Sequence, residues 1–179
     1  MPVSIYDSIT DAVDEQTEEE KLNSYVALHK NTFVLCPAFM GRTEDVPELD
    51  WKTVDYDQGL FDLPQQQGVY AFSVEVKHPF LPSNSYLMYV GKAGDTDSDN
   101  TIKKRYRNYC TTSGLANRPK VRPLINRYSQ YLKYHYAEVP DGVSTGEIEK
   151  MLTTIFLPPY NQADFERPIK NILKAIGVL

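Results

Sequence analysis

GVYAFSVEV at residues 68–76 and SYLMYVG at residues 85–91 decide how this chain folds. In the first segment Tyr70, Phe72, Val74 and Val76 alternate with Val69, Ala71, Ser73 and Glu75. That is the period of a strand whose more apolar face carries the rings. The second segment reads as another strand and ends in Gly91, with Lys92 following it. A glycine there lets a ligand or another group approach the backbone. KHPFLPSNS lies between them with two prolines, so residues 68–92 are expected to form a hairpin with a long loop.

Downstream, IKKRYRNY puts Ile102, Arg105, Tyr106 and Tyr109 on one helical face, with Asn100 or Thr101 as its cap. An arginine on an apolar stripe needs a carboxylate partner or a cleft to look into. VRPLINRYSQYL predicts a helix with Val121, Leu124, Ile125, Tyr128 and Leu132 as its buried stripe, and YHYAEV predicts a third strand. In STGEIEKMLTTIFL, Ser144 and Glu147 have the spacing of a capping box. Its core face is Ile148, Met151, Leu152, Ile155 and Phe156, and Pro158 and Pro159 stop it. A last helix is expected over 166–176. The fold class is therefore α+β: a small sandwich of three strands flanked by helices.

Upstream the signal is weaker. Residues 8–29 suit a helix with a thin stripe of Ile9, Val13, Leu22 and Val26. TFVLCPAF reads as a short buried strand or loop, and 41–60 as an acidic connector anchored by Trp51. This divides the chain into an acidic extension (1–60), a body (61–165) and a C-terminal helix packed on it (166–179).

The composition, 41% hydrophobic and 24% charged over 179 residues, excludes a collagen, a coiled coil and a wholly disordered chain. No apolar run is long enough to span a membrane, and the first residues have no leader pattern. Cys36 and Cys110 make no disulfide framework, so a reducing, cytoplasmic setting is expected. Charge is unevenly spread. Residues 1–67 hold 14 acids and 4 bases, residues 68–179 hold 10 acids and 15 bases, and 101–133 has nine bases and no acid. Of those, Lys103, Lys104, Arg107, Arg118, Lys120, Arg122 and Arg127 are the expected nucleic-acid contacts. An acidic head competing with DNA for this basic stretch is a further expectation of the split. His29, His78 and His135 form no metal-binding cluster in the sequence.

Gly68-Val69-Tyr70 followed by Tyr89-Val90-Gly91 resembles the GIY-YIG nuclease superfamily. The stretch GVYAF…LMYVGKAG…IKKRYRNY looks especially like the nuclease module of the bacterial excision-repair subunit, and EKMLTTIFLPPYN is similar to its glutamate helix. The resemblance covers about 68–161, with five elements in order. It implies hydrolysis of DNA phosphodiester bonds with Mg²⁺ or Mn²⁺. Position by position, it implies catalytic roles for Tyr70, Tyr89, Gly91, Lys92, Arg105, Tyr109, Glu149 and Asn161. Glu149 would be the metal ligand and Arg105 the phosphate clamp. Tyr70 would be the general base, favoured as phenolate by Lys92 and the metal. Asn161 would fix the glutamate or the helix end.

Two departures from the family pattern are the longer hairpin and the acidic loop 94–100, with Asp95, Asp97 and Asp99. The loop lacks the glycine and glutamate of a calcium loop and reads best as surface. Restriction, repair and mobile-element or defence roles stay open, as do RNA as substrate, a protein partner and a homodimer. The rival expectation is a catalytically silent nucleic-acid- or protein-binding module that keeps the fold.

Overall fold

The computed structural model describes residues 17–57, 59, 62–95 and 100–177. Ile9, Val13, Asp97 and Asp99 lie outside them. The chain divides into two units, Met1–Thr32 and Phe33–Leu179.

In the first unit, helix α1 (Glu18–His29) is started by a full capping box. Thr17 Oγ1 accepts from Glu20 N–H at 3.2 Å, and Glu20 accepts from Thr17 N–H at 2.8 Å. None of its residues is buried, and Val26 is exposed. The capping box starts the described part of this helix, and of the expected stripe Leu22 is half-buried and Val26 exposed.

The second unit is built on an open antiparallel sheet of four strands, one more than the sequence suggested. The order is β1 (Lys52–Asp55), β4 (Leu132–Glu138), β2 (Gly68–His78), β3 (Leu81–Ala93). The extra strand comes from the stretch read as a connector. KTVD has one apolar residue in four and no alternation to detect. Pairing with β4 and ion pairs create it. Thr53 lies opposite His135, Lys52 Nζ reaches Glu138 at 3.3 Å, and Lys133 bridges Asp55 and Glu75.

The hairpin also differs from expectation. β2 and β3 pair as far as His78 and Leu81, so only Pro79 and Phe80 turn the chain. Pro82 is tolerated because β3 is an edge strand whose outward N–H groups need no ladder partner. Beyond Glu75 the ribbon leaves the core, and Phe80 at its tip is 86% exposed.

From Gly68 to Val74, β2 is buried on both faces. One face carries Tyr70, Phe72 and Val74 beneath α3 (Ile102–Cys110), α4 (Thr112–Ala116) and α5 (Arg122–Tyr128). Thr101 caps α3, accepting from Lys104 N–H at 3.2 Å. The other face packs Val69, Ala71 and Val90 against Ile148 and Leu152 of α6 (Thr145–Phe156), with Val46 and Leu49 alongside. A third cluster joins Leu157 and Phe165 to Ile169 and Leu173 of α7 (Arg167–Ala175).

Several local expectations change. Of the two readings of TFVLCPAF the loop holds: Phe33 and Leu35 are exposed, and the stretch runs into a short helix, α2 (Pro37–Met40). VRPLINRYSQYL is a short helix, a 3₁₀ turn at Ser129–Tyr131 and the first residue of β4, which leaves Tyr131 exposed. On α6, Phe156 is exposed and Met151 only half-buried, while Thr145 and Thr153 take buried places. No helix among the described residues is long and apolar enough to cross a membrane.

Candidate active site

Sheet register places the first two tyrosines. Tyr70 pairs with Gly91 and Phe72 with Tyr89, so Tyr70 and Tyr89 rise from one face. Any side chain at position 91 would collide with the Tyr70 phenol and the Tyr89 ring. The glycine is therefore required by the tyrosine lying across it. Tyr109, a turn below Arg105 on α3, brings its hydroxyl into a short hydrogen bond with that of Tyr70. Tyr134 of β4 stacks on Tyr70, with ring centroids 5.5 Å apart.

This tyrosine cluster is buried. Tyr70 is 2% exposed, and Tyr109 and Tyr134 less. Burial pushes the Tyr70 and Tyr109 phenols above the ordinary tyrosine range, because a phenolate there would lose its water. The cation that opposes this at Tyr70 is Arg105. Lys92, expected to do so, faces the other way. It pairs with Val69 on the α6 side, and its Nζ meets Asp95 Oδ2 at 2.6 Å. Gly146 leaves room for that ion pair, and Ser144 donates to Asp95 Oδ1 at 3.3 Å while capping α6. The Ser144 hydroxyl is thus shared between the helix cap and the Lys92–Asp95 pair.

Arg105 has a buried Nε without a hydrogen-bond partner among the described residues, and so has Arg118. A buried guanidinium N–H that meets no acceptor costs free energy unless a ligand supplies one. The Arg118 charge also acts on Tyr109. Sequence reasoning placed Arg118 only among the general cations. No spacing rule singles it out, because it follows α4 in an irregular turn.

Glu149 is half-buried on α6. Burial raises its carboxyl to about 7, and nearby Asp164 adds to the rise. Lys92, Arg105 and Lys120 oppose it. Asp164, ion-paired with Lys120, was not singled out in the sequence. Its only signal was an acid three residues past Asn161. Among the described residues no three His, Cys, Asp or Glu side chains converge. The donor chemistry is oxygen only, from Glu149 with Asp164 as the neighbouring acid. That set fits a hard cation such as Mg²⁺, which keeps most of its waters and takes one or two carboxylates.

Asn161 has a different task from the others. Leu157 takes a left-handed conformation (φ 45°), ends α6 and turns the chain through Pro158 into a 3₁₀ turn, Pro159–Asp164. There Asn161, 1% exposed, clamps the outer edge of β3. Its Oδ1 accepts from Val90 N–H and its Nδ2 donates to Val90 C=O, both at 2.8 Å. The side chain acts as one further strand residue beside Tyr89 and Gly91.

The remaining cations lie on the α3–α5 layer that covers the tyrosine face. Lys103, Lys104 and Arg107 are on α3, Lys120 precedes α5, and Arg122 and Arg127 are on it. Arg127 Nη1 donates to Tyr160 Oη at 3.4 Å. No family model, curated protein or solved structure matches the chain.

Proposed function

We propose that the protein is a metal-dependent endonuclease of the GIY-YIG type that hydrolyses DNA phosphodiester bonds. The observation that carries this reading is the pair of guanidinium Nε atoms, on Arg105 and Arg118, buried without a hydrogen-bond partner among the described residues, whose charges act on a buried cluster of phenols. Two such donors suit non-bridging phosphate oxygens, which take arginine in charge-assisted hydrogen bonds.

In this reading Arg105 holds the scissile phosphate and offsets the charge that develops on it. Tyr70 Oη takes the proton of the attacking water. Burial opposes its ionisation, and Arg105 favours it. Tyr109, hydrogen-bonded to Tyr70, fixes the direction of that oxygen. Tyr89 orients water or phosphate at the strand edge. Asn161 positions Tyr89 and Gly91 through the backbone of Val90. Glu149 would hold the divalent cation, which when bound supplies charge for the leaving oxygen. The α3–α5 cations would steer the duplex.

Product ends test the chemistry. Nicks made by the parent protein are expected to be resealed directly by DNA ligase, which requires 5′-phosphate and 3′-hydroxyl ends. Nicks that need end repair first would overturn the proposed line of attack. The alternative, a silent binding module, is favoured if parent and Tyr70→Phe bind DNA equally and neither cuts.

A further inference from the structure

A second cavity lies behind the tyrosine strands, on the α6 side of the sheet. It is a cleft of about 380 Å³, floored by Ala71 and His135 and walled by Val46, Leu152, Trp51 and Phe156. Among the described residues, none of its lining side chains carries a formal charge unless His135 does. His135 is already spoken for: Nε2 lies 2.7 Å from Ser73 Oγ and Nδ1 lies 2.8 Å from Thr53 Oγ1. Burial pulls the imidazole below its usual range, which keeps it neutral. Among the described lining residues a charged ligand would therefore meet no counter-charge. The hydroxyl of Thr43 and the indole N–H of Trp51 are the polar side-chain groups it offers.

Size and shape narrow the class further. An apolar cavity of about 150 Å³ holds one benzene ring. The space here is between two and three times that. Trp51 and Phe156, flat rings at the opening, are 39% and 43% exposed. Apolar side chains left this open in a concave site are the usual lining of a small-molecule pocket.

We propose that this cleft is a binding site for an uncharged aromatic molecule of two or three rings with at most one or two hydrogen-bonding groups. It is distinct from the phosphate-facing site. It lies on the reverse of the strands that carry Tyr70 and Tyr89, with Val90 at its wall. The inference does not depend on the nuclease reading.

Trp51 is the only tryptophan, so its fluorescence reports occupancy. The test is titration of the full chain with N-phenyl-1-naphthylamine, a neutral three-ring fluorophore. Expected is one-to-one saturation at micromolar concentration, with energy transfer from Trp51. Val46→Phe and Ala71→Leu, which fill the space, should each weaken binding at least tenfold while the parent's cooperative melt persists. Phe80→Ser, at the ribbon tip, should change nothing. Neutral carbazole should displace the probe and lauramide should not. Absence of saturable binding to the parent, or loss of binding in Phe80→Ser, overturns the site. Displacement by lauramide alone overturns the ligand class. Unchanged affinity in whichever filled variant folds overturns the location, and the parent's energy transfer decides the matter if neither folds.

Discussion

At the scale of single residues, Arg105 and Glu149 carry the account. Arg105 has its Nε buried with no hydrogen-bond partner among the described residues. Arg105→Ala should lower kcat/KM on duplex DNA by about 10²–10³, the usual cost of losing one transition-state donor. Arg105→Lys should recover little, since an ammonium cannot reproduce the planar fork. Single-turnover cleavage measures both. Glu149 makes a prediction that needs no activity. Its carboxyl is raised to about 7 from an ordinary 4.5. The folded protein therefore prefers the protonated form, a preference fully met below about pH 4.5 and lost as pH rises through 7. Glu149→Gln should match the parent in stability at acid pH. At pH 8 it should exceed it by up to about 3 kcal/mol, the shift converted at 1.36 kcal/mol per unit. Mg²⁺ should raise the parent's melting temperature and leave the variant's unchanged. Melting curves across pH, with and without the ion, check this. A constant difference at all pH values would contradict it.

Among the elements, β3 is the one the site depends on, and it is an edge strand. Asn161 supplies the missing neighbour at Val90. Asn161→Ala should cost about 2–4 kcal/mol, because it leaves a buried N–H and a buried C=O unpaired. It should also speed exchange of the Val90 amide hydrogen. Asn161→Asp, which sets a carboxylate oxygen against the Val90 C=O in a buried place, should cost at least as much. Normal exchange at Val90 in the alanine variant would show that the clamp is not needed. Much at this scale was legible in the sequence. The strand alternation of 68–76, the Thr101 cap, the Ser144 cap and the stop at Pro158 all rest on local chemistry. What was not legible depends on partners distant in sequence. KTVD becomes β1 only because β4 is there to pair with it. The prolines of the hairpin read as breakers, yet one makes the turn and the other sits on an exposed edge. Lys92, a site lysine by the resemblance, stands on the α6 side of the pleat beside Asp95, where its charge acts on Glu149. Arg118 and Asp164 join the site through turns that carry no periodic signal.

For the whole molecule, the division at Thr32 matters more than the boundary at 60 that composition suggested. Val46, Leu49 and β1 belong to the sheet unit, so deletion to residue 60 would remove a strand and open a core. A chain starting at Phe33 keeps all three apolar clusters and should melt cooperatively within a few degrees of the full chain. The segment removed carries seven acids and two bases, leaving seventeen of each. If the acidic head competes for the basic layer, the shortened chain should bind DNA more tightly at low salt, with a steeper salt dependence. Equal affinity and slope would remove that idea while leaving the fold untouched.

The central claim is that Glu149 and Arg105 serve one phosphodiester-cleaving site. Nicking of supercoiled plasmid by the full chain, with Mg²⁺ or Mn²⁺ and with EDTA, tests it most directly beside Glu149→Gln and Arg105→Ala. The account predicts cutting by the metal-supplied parent alone, with both variants folded and at least a hundredfold slower. Cutting that survives EDTA or either substitution, or an inert parent that binds DNA with metal present, would contradict it.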